Sequence, residues 1–291
     1  MFETFVPLQI QTTGASIHVL KGGSGDPLLL LHGYPQTHVM WHKIAPRLAQ
    51  NFTVILADLR GYGDSSKPAG AMDHSTYSKR AMAQDMVEVM QKLGYDTFSV
   101  VGHDRGARVT HRMALDHPQR IKKAAVLDIA PTYLMYMTTD KEFATVYYHW
   151  FFLIQPDDHP ERMIGAQPEY FLRSRLQRWS ADPSAFTPEA IAEYLRCFCN
   201  PACIHATCED YRASASIDLQ HDEADMQQKV RCPLLVLWGE KGFIGRKYDV
   251  LAVWRERAED VQGYALPSGH FLPEEAPEET CQALQAFLLH N

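Results

Sequence analysis

Chemistry is concentrated at Gly102-His103-Asp104-Arg105-Gly106, where an apolar run ending at Val101 leads into a Gly-x-Asp-x-Gly turn and then a helical pattern over Val109–Leu115. Glycines on either side let a strand turn sharply into a helix and expose the central side chain, the frame of a nucleophile elbow. Serine is the usual apex residue; here it is Asp104, and no Gly-x-Ser-x-Gly occurs in the chain. Alone the pattern would be weak, since glycine and aspartate fill many turns; the strand before and the helix after strengthen it. His32-Gly33-Tyr34-Pro35 follows another apolar run, where such architectures place a turn that donates one N–H of an oxyanion hole, the other coming from the residue after the nucleophile. The backbone N–H groups of Tyr34 and Arg105 are assigned that role. His270, in Pro267-Ser268-Gly269-His270-Phe271, comes last in the chain order, as the motif requires.

The third member is less regular. An acid ordinarily follows the run Leu234–Leu237 in a Gly-x-x-Asp pattern, but Gly239-Glu240-Lys241-Gly242 puts glycine there. Asp128, at the end of the run Ala125–Leu127, is the nearest substitute and Glu240 its competitor; Asp128 is preferred because that strand end reaches the same edge.

An aspartate is ionised at neutral pH and needs no base for its first attack. Carboxylates displace leaving groups from saturated carbon or open strained rings, giving an alkyl ester that a histidine-activated water then cleaves. Asp104, His270 and Asp128 together therefore point to dehalogenation or epoxide hydrolysis and away from esterases. Arg105 and Arg108 sharpen the choice. Two guanidiniums at the floor of a closed pocket are costly unless an anion sits among them, and arginine suits carboxylate recognition. A substrate with a carboxylate beside the reacting carbon is expected, unless either arginine pairs with Asp104 or a surface acid.

The elements that position these groups are legible as short apolar runs. Leu28–Leu31, Val54–Ala57, Phe98–Val101, Ala125–Leu127, Leu234–Leu237 and Val261–Leu266 read as buried parallel strands, with crossover helices such as Ser75–Leu93 and a closing helix Glu275–Leu289. Phe5–Gly22 reads as a hairpin turning at Thr13–Ser16. Strand rhythm stops near Tyr133 and resumes at Cys232-Pro233; the stretch between is aromatic and helical, with helices expected over Phe143–Leu153, Pro168–Trp179, Pro188–Phe198 and Ile204–Ala213. It is assigned as a helical cap (133–230) inserted into an α/β core (1–132 and 231–291). The chain of 291 residues is 46% hydrophobic, ample for such a core, and its net charge of −7 provides no global field for nucleic acid or an anionic membrane. A small anionic substrate would need its own local positive site. Neither a signal-length nor a membrane-length apolar run occurs, so a cytoplasmic protein is expected. Cys197, Cys199, Cys203 and Cys208 lack paired Cys-x-x-Cys spacing and read as packing; no metal or cofactor is expected.

With these motifs in place, the chain resembles the fluoroacetate (haloacetate) dehalogenases of the α/β-hydrolase superfamily nearly end to end. The likeness runs through Leu30–Thr37, Asp58–Gly63, Gly102–Arg108, Asp128–Tyr133 and Gly269–Phe271. It implies the α/β-hydrolase fold: a mostly parallel eight-stranded sheet flanked by helices, with an inserted helical cap. It further implies Asp104 as nucleophile, His270 as base, Asp128 as its partner, and Arg105 with Arg108 on the substrate carboxylate. His149, Trp150 and Tyr211 match residues that hold the departing halide, and imidazole, indole and phenol all offer donors; Trp179 matches another pocket aromatic. The implied partners are a small 2-haloacid such as fluoroacetate or chloroacetate, water, and a second copy in a homodimer. Tyr34 stands where relatives often have phenylalanine, and Ala107 where many have glycine. Two alternatives remain open. A soluble epoxide hydrolase would share Asp104 and His270 and need two cap tyrosines, for which Tyr133, Tyr147, Tyr148, Tyr194 and Tyr211 are available; the arginine pair argues against it. A non-catalytic binding protein of the same fold would tolerate loss of the triad, whose three members are present.

Overall fold

The computed structural model describes residues 1–289. Eight strands, β1 (Val6–Gln11), β2 (Ser16–Gly22), β3 (Asp26–Leu31), β4 (Phe52–Ala57), β5 (Phe98–His103), β6 (Ile121–Leu127), β7 (Leu234–Gly239) and β8 (Val261–Leu266), form one sheet in the order β1-β2-β4-β3-β5-β6-β7-β8. The hairpin β1–β2 and the β2–β4 pair are antiparallel, and every later pair is parallel. The central strands are covered by helices on both faces, so all six residues of β4 and the last four of β3 and β6 are buried; this is why they read as unbroken apolar runs.

Between β6 and β7 the chain runs only through helices, from Thr132–Met137 to Ile217–Ala224. Their starts follow local rules: Asp140, Thr187 and Asn200 each accept a backbone N–H of the first turn, and proline opens three of the longer helices. Three expected helices differ from their sequence outline. Ser75–Leu93 begins at Lys79, because the Ser78 hydroxyl caps the Ala81 N–H and Ser75–Tyr77 is a separate 3₁₀ turn. Phe143–Leu153 is broken at Tyr147 (φ −101°, ψ 30°) into Lys141–Val146 and Tyr148–Phe152, which resets the helical phase and buries both His149 and Trp150. The C-terminal helix divides into Leu272–Glu275 and Pro277–Leu289, since Pro277 has no N–H to continue the first segment. Among the described residues no helix is long and apolar enough to cross a membrane.

Candidate active site

The C-terminal ends of β3, β5, β6 and the loop after β8 converge beneath the helical insertion. Asp104 occupies the turn between β5 and the helix Arg105–Asp116, with φ +46°, a left-handed conformation that a non-glycine residue adopts only under constraint. The constraint is crowding on both sides. A Cβ at Gly102 would lie 2.3 Å from the Gly106 carbonyl oxygen, and one at Gly106 would lie 2.5 Å from that of His32. Both flanking positions must therefore be glycine, and the turn packs directly against the end of β3.

That packing brings the Tyr34 N–H to 2.9 Å from Asp104 Oδ1. Arg105 opens the helix, so its N–H is among those that no helical carbonyl can accept. The other carboxylate oxygen, Oδ2, lies 3.8 Å from His270 Nε2, beyond direct hydrogen-bond range and buried. His270 Nδ1 is 2.6 Å from Asp128 Oδ2, while Asp128 Oδ1 accepts the Gly239 N–H at 2.9 Å. The departure from the usual acid position has a steric counterpart: a Cβ on Gly242 would stand 3.4 Å from Asp128 Oδ1, so the carboxylate fills the space beside that glycine. Glu240, the competing acid, is exposed. Like Asp104, Asp128 has a left-handed backbone, φ +53°.

His103, the other histidine at the turn, has a supporting place. Its Nε2 lies 2.7 Å from the His270 carbonyl, and burial next to His270 pulls its pKa down to about 3, so the ring is neutral and donates to that carbonyl. The His270 N–H donates to Trp179 O at 2.9 Å, and Glu275 accepts the N–H groups of Gly269 and Phe271 on this loop and of Ala181 and Asp182 on the insertion. Tyr194, also from the insertion, donates to Glu274 at 2.5 Å and accepts from Gln36, just past the Tyr34 turn. The tethers to the insertion and from His103 were not visible in sequence, because each joins residues 80 or more positions apart with no motif of its own.

The two arginines differ. Arg105 was expected to depend on a bound anion, but it has a protein counterion: Nε and Nη2 contact the two carboxylate oxygens of Asp210 at 2.9 and 2.8 Å, and Nη2 also reaches Ser214. Asp210 accepts the Tyr62 hydroxyl and Lys79 ammonium as well, and Lys79 contacts Asp218. Burial alone would lower the Arg105 pKa, but Asp210 holds it well above the ordinary arginine value. A buried network of two cations and two anions is thereby balanced, leaving Arg105 Nη1 as the one nitrogen without a partner. The sequence resemblance marks Tyr211 and not its neighbour Asp210. Arg108 has no carboxylate within ion-pair distance among the described residues. Its Nη1 donates to Ala130 O and Thr132, Nη2 contacts Met135 Sδ, and Nε is buried and unpartnered. Burial and the neighbouring Arg105 charge depress its pKa.

The insertion brings His149, Trp150, Tyr211 and Trp179 to the same chamber. Tyr34 stacks on His149 at 6.3 Å and meets Tyr211 edge-on at 5.4 Å; Trp179 lies 4.5 Å from His149 and 5.5 Å from His270. The guanidiniums of Arg105 and Arg108 lie 4.1 and 4.7 Å over the rings of Tyr211 and Trp150. Trp150 Nε1, His149 Nδ1 and the Tyr34 hydroxyl are buried without hydrogen-bond partners. Burial and nearby cations keep His149 neutral, and burial keeps the Tyr211 phenol protonated. Burial also opposes ionisation of Asp104, but His270, His103, Arg105 and Arg108 outweigh it and hold its pKa below the ordinary aspartate value. His270 moves the other way: burial would lower its pKa, yet Asp128 and then Asp104 raise it above the ordinary histidine value.

A family model described as the alpha/beta hydrolase fold matches residues 26–277. A fluoroacetate dehalogenase from Burkholderia sp is 46% identical over 289 residues, covering 99% of this chain and 95% of that protein. A soluble epoxide hydrolase from Corynebacterium sp. (strain C12) is 35% identical over 274 residues, covering 93% and 92%. Among solved structures, a crystal structure from Nostoc sp PCC 7120 described as an alpha/beta hydrolase superposes with a TM-score of 0.99 at 70% identity, each chain covered fully.

Proposed function

The chain belongs to the α/β-hydrolase fold family, and on that premise we propose that it is a hydrolytic dehalogenase of small 2-haloacids such as fluoroacetate or chloroacetate. The observation that carries the reading is Arg108, a buried guanidinium that among the described residues has no acid partner and has an unfilled Nε, one helical turn from the Asp104 carboxylate. Cations in that state call for an anion, and a carboxylate placed there sets its α-carbon beside Asp104.

In this mechanism Asp104 Oδ2 attacks the halogen-bearing carbon from the side opposite the halogen. The C–O bond forms as the C–X bond breaks, and halide leaves with the bonding electrons. Oδ1 stays against the Tyr34 N–H. The halide departs toward Trp150, His149 and Tyr211, whose N–H and O–H groups replace part of its water shell; small, strongly hydrated fluoride needs them most. Charge balance favours expulsion. Once the ester forms, Asp104 is neutral and Arg108 is matched by the substrate carboxylate, so the halide is the surplus anion.

His270 then removes a proton from water, which attacks Asp104 Cγ. The N–H groups of Tyr34 and Arg105 stabilise the oxyanion on Oδ1, and its collapse breaks the ester's acyl bond between Cγ and Oδ2. The departing alkoxide is protonated to the 2-hydroxy acid, and the one proton left over is lost to solvent, which regenerates both the carboxylate and neutral His270. Ester formation also prepares the base. The Asp104 charge helps to raise the His270 pKa; esterification removes that charge, so the imidazole becomes more readily neutral when a base is needed.

A second reading, epoxide hydrolysis, draws support from the Corynebacterium relative and from the buried, unpartnered hydroxyl of Tyr136, 4.8 Å from the Trp150 ring between centroids. Incubation with fluoroacetate, chloroacetate and a neutral epoxide, followed for halide, glycolate and diol, separates the two. Halide and glycolate released together, with heavy oxygen entering Asp104 in a single turnover, are the expected results. Diol from the epoxide with inert haloacids would overturn the proposal.

A further inference from the structure

The chamber holding Asp104 is walled by Trp179, Tyr147 and His149, whose rings lie 4.5–6.5 Å apart. A cavity of about 230 Å³ is lined by Tyr147 and Trp179 of that wall and by His270 and Asp128, and carries Arg178, Lys241 and Arg246 in its lining as well. Three cations around one cavity stand out in a chain of net charge −7.

They are not neutralised locally. Among the described residues neither Arg178 nor Lys241 has a carboxylate within ion-pair distance. Arg246 reaches Glu142 at 3.3 Å, but both side chains are more than half exposed, where such a pair is weak. Of the acids nearby, Asp128 is held by His270 and Gly239, Glu275 has its oxygens on four backbone N–H groups, and Asp182, which feels the Lys241 charge, accepts from Ser184. The field in the cavity is therefore positive, and low-dielectric walls concentrate it.

Inward of Trp179 stands an independent second feature. Arg175, one turn earlier on the same helix Pro168–Trp179, is 2% exposed, has no ion pair among the described residues, and has an unpartnered Nε. Its guanidinium is boxed by the rings of Tyr148, Phe171 and Trp179 at 4.4, 5.2 and 5.6 Å. Its charge reaches Tyr34 and His149 in the Asp104 chamber. Cations thus stand at the mouth, in the wall and, with Arg108, on the floor.

We propose that this cavity is an antechamber for small monovalent anions, holding the haloacid carboxylate on its way in and the halide on its way out. The inference rests on the haloacid reading of Asp104 and adds an anion-binding approach, lined by Arg178, Lys241 and Arg246, on the side of His270 and Asp128. At roughly 30 Å³ per water, the volume accommodates a two-carbon carboxylate with part of its hydration shell. Water can be shed there before the anion passes Trp179.

The test is a triple substitution at exposed positions, Arg178→Ser with Lys241→Ser and Arg246→Ser, assayed with chloroacetate across ionic strength. In the unaltered protein kcat/KM should fall as salt rises, because exposed charges are screened within about 10 Å at 0.1 M. The triple variant should raise KM about ten-fold at low salt with kcat unchanged, flatten the salt dependence, and weaken inhibition by added chloride. A melting temperature within a few degrees of the parent would show that the fold is retained. Turnover whose KM, salt slope and chloride inhibition are all indifferent to the substitutions overturns the antechamber alone. No turnover of haloacids by the unaltered protein overturns the dehalogenase reading and this inference with it.

Discussion

The sheet edge and the insertion-facing floor of the chamber are built on opposite plans. At the edge, Asp128 is fixed by Gly239 and His270, His103 by the His270 carbonyl, and His32 accepts the Leu59 N–H at 3.1 Å, while His270 Nε2 and His103 Nδ1 are the ring nitrogens left without a partner among the described residues. On the floor and under the insertion, Arg108 Nε, Arg105 Nη1, Trp150 Nε1 and His149 Nδ1 are buried without one. Native interiors rarely leave so many donors and acceptors unfilled, and each unfilled group carries a desolvation cost. The difference teaches a division of labour. On the proposed reading, the groups assigned to bond making are held in advance by hydrogen bonds, whereas those assigned to the anion are left incomplete for substrate and halide to complete.

Removing the nucleophile tests that division most severely. Asp104→Ala should abolish halide release, a loss of about four orders of magnitude or more in kcat, with a thermal melt confirming that the variant, which keeps the Cβ and loses only the carboxylate, remains folded. Retained turnover in purified Asp104→Ala would show that the edge does not perform the chemistry.

His270→Ala should separate the two half-reactions. One halide per protein is expected in a rapid burst, followed by turnover about a thousand-fold slower, with the ester on Asp104 detectable as added peptide mass. The same residue sets the pH dependence. Its pKa is raised by Asp128 and Asp104, and a base acts in its neutral form, so steady-state hydrolysis should increase with pH and level off only above the ordinary histidine value. A pH-independent burst followed by a pH-dependent steady state would sharpen the comparison; a burst that tracks the same ionisation would place His270 in the first step instead.

Much of the edge was legible from sequence because its parts carry their own local signals. Gly102 and Gly106 announce a close approach, and His270 follows the last strand. Asp128 could be inferred once Gly242 was seen in place of an acid. The floor was less legible. Arg105 and Arg108 look alike in sequence, yet Asp210, more than a hundred residues away on the helix Pro201–Ser214, pairs with one of them alone. The tethers of Glu275 and Tyr194 are equally silent, since a glutamate at a helix start and a tyrosine on an amphipathic helix have ordinary local explanations. The break at Tyr147 is a tertiary effect: the local pattern continues a helix, but burying both His149 and Trp150 requires a change of phase.

The arginines supply the next test. Arg108→Ala should raise KM for chloroacetate about a hundred-fold, in line with truncating one partner of a buried charged pair, and should affect a neutral substrate far less. Asp210→Asn acts differently. It leaves Arg105 and Lys79 buried with too little negative charge, so the expected effect is a fall in stability of about 3–5 kcal/mol, read by denaturant unfolding. Equal losses from Arg108→Ala on charged and neutral substrates would mean that Arg108 supports the structure and does not recognise the carboxylate.

Trp150→Phe is the gentlest of these changes and tests the incomplete side of the comparison most directly. Phenylalanine keeps an aromatic face under the Arg108 guanidinium, now at 4.7 Å from the indole, and removes only the Nε1–H. A hydrogen bond to an anion contributes about 1.5–3 kcal/mol, so if that donor meets the departing halide, the rate of C–X cleavage should fall by about ten- to a hundred-fold. The fall should depend on the halogen. Fluoride loses the most hydration on entering a dry pocket and relies on every donor there, whereas bromide is larger, more diffuse and a better leaving group. The ratio of single-turnover rates for fluoroacetate and bromoacetate should therefore shift toward bromide in Trp150→Phe. Parallel declines for both would assign the indole a packing role, leaving His149 and Tyr211 as the halide donors; a selective loss of fluoride would show that the unfilled N–H awaits the leaving group.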